Sequence, residues 1–183
     1  MLFSLAVFAA LAVVPSAIAV PTSAHANVSV ATSKCSCDYY YPVPLYRSFN
    51  PKAVDHFYTR SLNEANNAVS IGWTREGSAG GVLSSNQAGA VPLFRLFNPS
   101  VSDHFYTVSG DERASVLAGG GWSDEGIAAY ILAEPACGTI PLYRTFQGAN
   151  FDHFYTTNTG EMVNAITQLG YSFEATIGYI WPA

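Results

Sequence analysis

The sequence predicts a β-rich domain of three tandem repeats, each with one short helix, closed around a pseudo-threefold axis. Two observations carry that reading: a motif that returns at a fixed interval, and the same succession of strand and helix signals after each copy. The motif is Pro44-Leu45-Tyr46-Arg47-Ser48-Phe49 followed by Asp55-His56-Phe57-Tyr58-Thr59. It returns as Pro92-Leu93-Phe94-Arg95-Leu96-Phe97 with Asp103-His104-Phe105-Tyr106-Thr107. The third copy is Pro141-Leu142-Tyr143-Arg144-Thr145-Phe146 with Asp152-His153-Phe154-Tyr155-Thr156. The copies begin 48 and 49 residues apart, and Pro and Asp are eleven positions apart in each. A period of that size is one supersecondary unit used three times, each burying its apolar face on its neighbours. The repeats span about 44–91, 92–140 and 141–183, and together make one domain.

Within a repeat, Leu45, Arg47 and Phe49 alternate with Tyr46 and Ser48, the period of a strand. Asn50-Pro51 and Asn98-Pro99 open a turn, replaced in the third copy by Gln147-Gly148. A second strand follows, with Asp55, Phe57 and Thr59 on one face and His56 and Tyr58 on the other. Ser61-x-x-Glu64 and Ser109-x-x-Glu112 are capping boxes at a helix start, and Asn158-x-x-Glu161 is a related cap. Apolar residues then recur at helical spacing, as in Met162, Ala165, Ile166 and Leu169. Gly72, Gly121 and Gly170 end the helices, and Trp73, Trp122 and Tyr171 fold back after them. Glu76, Glu125 and Glu174 precede a third strand, clearest at Ile127–Leu132 and Thr176–Trp181 and weakest at the Gly-rich 78–81.

Residues 1–19 form an uncharged apolar run ending in Ala17-Ile18-Ala19, the pattern of a cleaved secretory signal. A second cleavage position follows Ala26, and an uncleaved anchor is the alternative reading. Residues 20–43 are an N-terminal arm carrying the one glycosylation sequon, at Asn27. In an oxidising compartment Cys137 pairs with Cys35 or Cys37, closing a loop of about a hundred residues. In the chain-entropy model such a loop is worth up to ~4.7 kcal/mol. A net charge of −5 with no basic cluster argues against nucleic acid and, after signal cleavage, against membranes as partners. Charged residues are only 11% of the chain, which leaves a surface of Ser, Thr, Asn, Gly and Tyr suited to neutral polar ligands.

The string Pro-Leu-Tyr-Arg-x-Phe-Asn-Pro, Asp-His-Phe-Tyr-Thr, Gly-Trp-x-x-Glu-Gly resembles a repeat family of unknown function. That family occurs in secreted fungal proteins and as an accessory module of bacterial cell-wall hydrolases and peptidases. The resemblance runs over about residues 44–181 and implies a secreted, non-catalytic module without naming its ligand. In outline the domain is β-trefoil-like or small propeller-like. The helix in each unit and the missing Gln-x-Trp motif set it apart from trefoil lectins.

Nine of the thirteen acidic residues recur, as Asp55/103/152, Glu64/112/161 and Glu76/125/174. Arg47, Arg95 and Arg144 share the strand face of Leu and Phe and need a carboxylate each, with Glu76, Glu125 and Glu174 the natural partners. The Asp-His pairs admit three readings. The imidazole is held by its neighbouring carboxylate or a backbone group; the pair binds ligand at three equivalent sites; or three histidines on the axis ligate a metal. Catalysis is poorly matched, because three equivalent copies give no division of labour between acid and base. Sugars suit an aromatic platform flanked by polar groups. The residues expected to bind ligand are therefore Asp55, His56, Tyr58, Asp103, His104, Tyr106, Asp152, His153 and Tyr155. Trp73 and Trp122 are expected to be packed. The expected partner is a cell-wall or surface glycan, bound without cofactor or metal. A protein partner is the alternative, and a hydrolase ranks last.

Overall fold

In the computed structural model, which describes residues 37–183, a turn of 3-10 helix precedes three passes of strand, strand, helix, strand. The first pass is β1 (Val43–Asn50), β2 (Asp55–Thr59), α1 (Leu62–Ser70) and β3 (Thr74–Val82). The second is β4 (Ala90–Asn98), β5 (Asp103–Thr107), α2 (Gly110–Ala118) and β6 (Ser123–Leu132). The third is β7 (Ile140–Gln147), β8 (Asp152–Thr156), α3 (Thr159–Gln168) and β9 (Ser172–Ile180). The leader expected at 1–19, most of the arm, the Asn27 sequon and Cys35 lie outside the described residues.

The molecule is mostly β-sheet. In each pass the first strand lies between the other two and pairs antiparallel with both. The first pass makes a three-stranded sheet, β2-β1-β3. The others merge into a six-stranded sheet, β5-β4-β6-β9-β7-β8, that curls into a half-barrel. Its seam is one pair, Leu132 opposite Tyr179. Two bridges, Gly81 to Trp181 and Leu83 to Tyr130, tie the end of the first pass to the larger sheet. The third strands thus meet near their C-terminal ends. They begin earlier than the alternation suggests, so Glu76, Glu125 and Glu174 are strand residues. The Gly-rich β3 is a full nine residues long, with its irregular register absorbed between Leu45 and Tyr46 and between Arg47 and Ser48.

The helix starts correct the capping-box reading in part. Ser61 and Ser109 accept from the backbone N–H of Glu64 and Glu112, and Asn158 accepts from those of Gly160 and Glu161. The reciprocal half is missing. The backbone N–H of each cap residue donates instead to a threonine hydroxyl, Thr59, Thr107 or Thr156, at 3.0 Å. That frees each Glu carboxylate for an arginine, a charged partner with several donors and so a stronger one than a single backbone N–H. At the other end Gly72 and Gly170 adopt φ of 102° and 76°, the left-handed geometry that stops a helix. Trp73 and Tyr171 then donate their backbone N–H back to Ala68 and Ala165.

The core joins all three passes: Leu45, Leu93 and Leu142, the tyrosines Tyr58, Tyr106 and Tyr155, and Val82, Ile131 and Ile180 from the third strands. Cys37 bonds Cys137 across 100 residues with Cα atoms 5.4 Å apart, which selects between the two expected partners. Where β9 crosses β6, Gly178 leaves no room for a side chain. A Cβ there would lie 2.6 Å from Ile131 Cδ1 and 2.9 Å from the Leu132 carbonyl oxygen, at φ 152°. Gly178→Ala should therefore lose about 1–3 kcal/mol by overpacking. Urea unfolding measures this, and an unchanged midpoint would show that the strand ends part easily.

Candidate functional site

Successive side chains of a strand point to opposite faces, and β2 uses both. His56 and Tyr58 face β8, whereas Asp55 and Phe57 face β5. Asp55 therefore never meets its sequence neighbour His56. It accepts from His104, through the backbone N–H at 3.1 Å and the ring Nδ1 at 2.7 Å. Asp103 holds His153 in the same way, and Asp152 holds His56. The reading that each imidazole is held by the neighbouring carboxylate is corrected accordingly: the carboxylate comes from another pass of the chain.

The tyrosines repeat this pattern. Tyr58 Oη donates to the Tyr155 carbonyl, Tyr155 Oη to that of Tyr106, and Tyr106 Oη to that of Tyr58, at 2.7–3.0 Å. Each hydroxyl also accepts a backbone N–H, from Tyr155, Tyr106 and Tyr58 in the same order. The three rings meet edge to face with centroids 5.3–5.5 Å apart. Full burial pushes all three phenols above their ordinary pKa, so they stay neutral donors.

Around this centre stand three arginine clusters. Each guanidinium takes one carboxylate from its own pass and one from a neighbour's helix. Arg47 meets Glu76 and Glu161, Arg95 meets Glu125 and Glu64, and Arg144 meets Glu174 and Glu112, at 2.7–3.0 Å. The expected partners Glu76, Glu125 and Glu174 are thus in place, and the second carboxylates are an addition. Toward the first set the Nε atoms make ion pairs without aligned hydrogen bonds. The guanidinium planes also cover Phe154, Phe57 and Phe105 at 4.7–5.3 Å. Burial opposes the charge on each arginine, yet the glutamates more than offset it and raise the pKa.

The nine expected ligand contacts fall on this frame. Tyr58, Tyr106 and Tyr155 are only 1–2% exposed, with hydroxyls occupied as described. Asp55, Asp103 and Asp152 are 0–1% exposed. These aspartates are the one trio of candidate metal ligands among the described residues, with one oxygen each inside 4.8 Å of the others. Both oxygens of every one already accept from a histidine. The histidines are not grouped for a metal: Nε2 of His56, His104 and His153 faces Glu76, Glu125 and Glu174 respectively, at 3.7–3.9 Å. Of the nine, Asp55 and His104 border one cleft and His56 another.

The first cleft, about 410 Å³, is walled by Phe57, Trp73, Phe97 and His104 and rimmed by Asn50 and Asn67. Trp73 packs edge-on to Phe57 at 5.7 Å while remaining partly exposed. The second, about 200 Å³, is bounded by His56, Phe154 and Tyr171, with Arg47, Glu161 and Asn164. There Tyr171 stands where Trp73 does, and its hydroxyl donates to Asp152. Reasoning from the sequence alone misses Asn67 and Asn164, although each lies three residues after its helix Glu. Ser115 in the second copy breaks the recurrence that would have revealed them.

Fold and clefts together define a β-rich domain whose recurring ionised groups are paired with one another and whose Trp73 and Tyr171 clefts are lined by aromatic rings. The chain belongs to the family described as Domain of unknown function (DUF5648), whose model matches residues 43–181. No curated protein and no solved structure matches it.

Two outcomes follow from the electrostatics. Asp103→Ala strands a buried imidazole and should cost about 3–5 kcal/mol in urea unfolding; a loss near zero would mean water replaces the carboxylate. Hydrogen bonds from Arg144 and Arg47 lower the pKa of Glu112 and Glu161, and for Glu64 those from Arg95 and Thr59 outweigh burial. A folded pKa below the unfolded value gives stability that is present above about pH 4.3 and lost as pH falls through the folded value. Burial raises Asp55 and acts the other way, against His104. The three glutamates should prevail, so Tm drops between about pH 5 and 3, and less steeply in the Glu112→Gln, Glu161→Gln double variant.

Proposed function

We propose that this is a secreted, non-catalytic carbohydrate-binding domain of lectin type, recognising a cell-wall or surface glycan. Its three passes are one unit repeated about a pseudo-threefold axis, a reading supported by the cyclic order of the tyrosine and Asp–His bonds. The observation that carries the function is the cleft beside Trp73. A half-exposed indole next to apolar walls and amide side chains suits a sugar ring, with its alternating C–H patches and hydroxyls. Ligand contact then falls to Trp73, Asn50, Asn67 and the edge of His104, with Asp55 behind as the group that fixes the imidazole. Up to three positions, one per pass, would raise avidity by ~10²–10⁴-fold on a surface whose spacing lets them engage together.

Absence of catalysis is supported by the same geometry. Asp55 and Glu64 both border the cleft, yet both oxygens of each already accept hydrogen bonds. A glycosidase acid or base must reach the glycosidic oxygen or a water, and either carboxylate could do so only by sharing an oxygen with a scaffold donor. Secretion is supported by the Cys37–Cys137 bond together with the apolar leader. One observation favours a protein partner as the second reading: α3 shows Val163 and Ile166, with Leu169 just beyond it, at 47%, 36% and 54% exposed.

A glycan array separates the two. The expected result is dose-dependent binding, weakened at least tenfold, ~1.4 kcal/mol, in a folded Trp73→Ala variant. Silence across neutral and charged glycans would move the function to the α3 face.

A further inference from the structure

We infer that the Trp73 cleft is a subsite for the acetamido group of a neutral sugar, and that it is the one strong site on the chain. The inference rests on the glycan reading above and gives it a chemical class. Glu64 accepts from Arg95 on one carboxylate oxygen and from Thr59 on the other. Asp55 gives one oxygen to the His104 backbone N–H and the other to its ring. Each carboxylate is therefore already hydrogen-bonded to the scaffold through both oxygens, and a ligand ammonium group would have to share an oxygen with one of those donors.

What remains are two amides and the Ser102 hydroxyl. Asn50 uses its Oδ1 for the backbone N–H groups of Lys52 and Ala53, which leaves the Nδ2 donor without an intramolecular acceptor among the described residues. Asn67 is exposed on α1, and its side-chain amide makes no hydrogen bond among the described residues. An acetamido group presents the complement, one carbonyl acceptor and one N–H donor, with a methyl that must leave water. Ala68 forms a small floor beside Asn67, and Ile71 and Trp73 form apolar walls where that methyl can rest. A volume of about 410 Å³ lies in the range of small-ligand sites and admits one sugar ring with its substituent.

The other two positions differ. The cleft at Tyr171 keeps Asn164 and Ala165, but it has half the volume, Arg47 and Glu76 line it, and Gln147, which replaces Asn50, donates its amide to the Leu169 carbonyl. In the second pass Ser115, Val116 and Gly120 stand where Asn67, Ala68 and Ile71 do: the amide is gone, the floor is raised and a wall is lost. One strong site per chain follows.

Titration calorimetry of the whole protein with three β-1,4-linked tetrasaccharides tests this, because they differ only at C2: hydroxyl, free amine or acetamide. The acetamido tetramer should bind 1:1 and at least tenfold tighter than the other two. Trp73→Ala should abolish that binding. Asn67→Ala, at an exposed helix position, should weaken it severalfold with Tm unchanged. Equal binding of the hydroxyl tetramer, or preference for the amine, would overturn the acetamido inference and leave the glycan reading standing. A stoichiometry of two or three would overturn the single site. If none of the three binds while the array finds another glycan, only this inference fails; if the array is silent as well, both fail.

Discussion

Everything in this molecule depends on one property of the short strand Asp-His-Phe-Tyr-Thr: it is buried on both faces. A strand alternates its side chains, so residues adjacent in sequence serve different neighbours. His and Tyr reach one way, and Asp and Phe reach the other. Each strand therefore gives a carboxylate to one neighbour and receives one from the other. The order is cyclic, 55 to 104, 103 to 153, 152 to 56, and no pass of the chain can satisfy its own polar groups alone. An unpaired Asp or His in such a setting would be costly, so partly assembled states are penalised and the three passes should fold as one cooperative unit.

The arginine clusters lie outside that centre and obey the same rule. Each guanidinium joins a glutamate of its own third strand to a glutamate from a neighbour's helix. Two carboxylates on one half-buried cation leave an excess of negative charge, which the threonine hydroxyls help to disperse. Here lies the reason the helices are capped only halfway. A Glu that returned to its own cap would satisfy a local N–H and lose a long-range ion pair. Placement of α1, α2 and α3 against the sheets is thus set by electrostatics as much as by apolar contact, since α2 has no fully buried residue.

Much of this is legible in the residues themselves. Strand and helix order follows from alternation, caps and glycines, and Arg47 with Glu76 follows from an arginine on an apolar face. What stays hidden does so for physical reasons. Alternation says that Asp55 and His56 point apart, but not which strand Asp55 will meet, because three identical motifs offer three identical partners. The same ambiguity hides the second glutamate on each arginine. Tyr58, Tyr106 and Tyr155 read as ligand contacts because tyrosine suits a binding surface, yet it suits a core equally when its hydroxyl finds a carbonyl. Recurrence marks what the scaffold needs three times, and it marks a ligand site only where the scaffold has left something unused.

That distinction explains why the clefts are unequal. Positions in the cyclic network are nearly invariant between copies, since any change there strands a buried group. The residues one layer out, at 67, 68, 71 and 73 and their counterparts, are less bound by that network, although Tyr171 still donates to Asp152. They vary: Asn, Ser and Asn; Ala, Val and Ala; Ile, Gly and Leu; Trp, Trp and Tyr. A frame fixed by internal pairing leaves the Trp73 and Tyr171 clefts room to differ in shape. Under the glycan reading, specificity would then reside in these variable residues, while the repeated motif holds them in place.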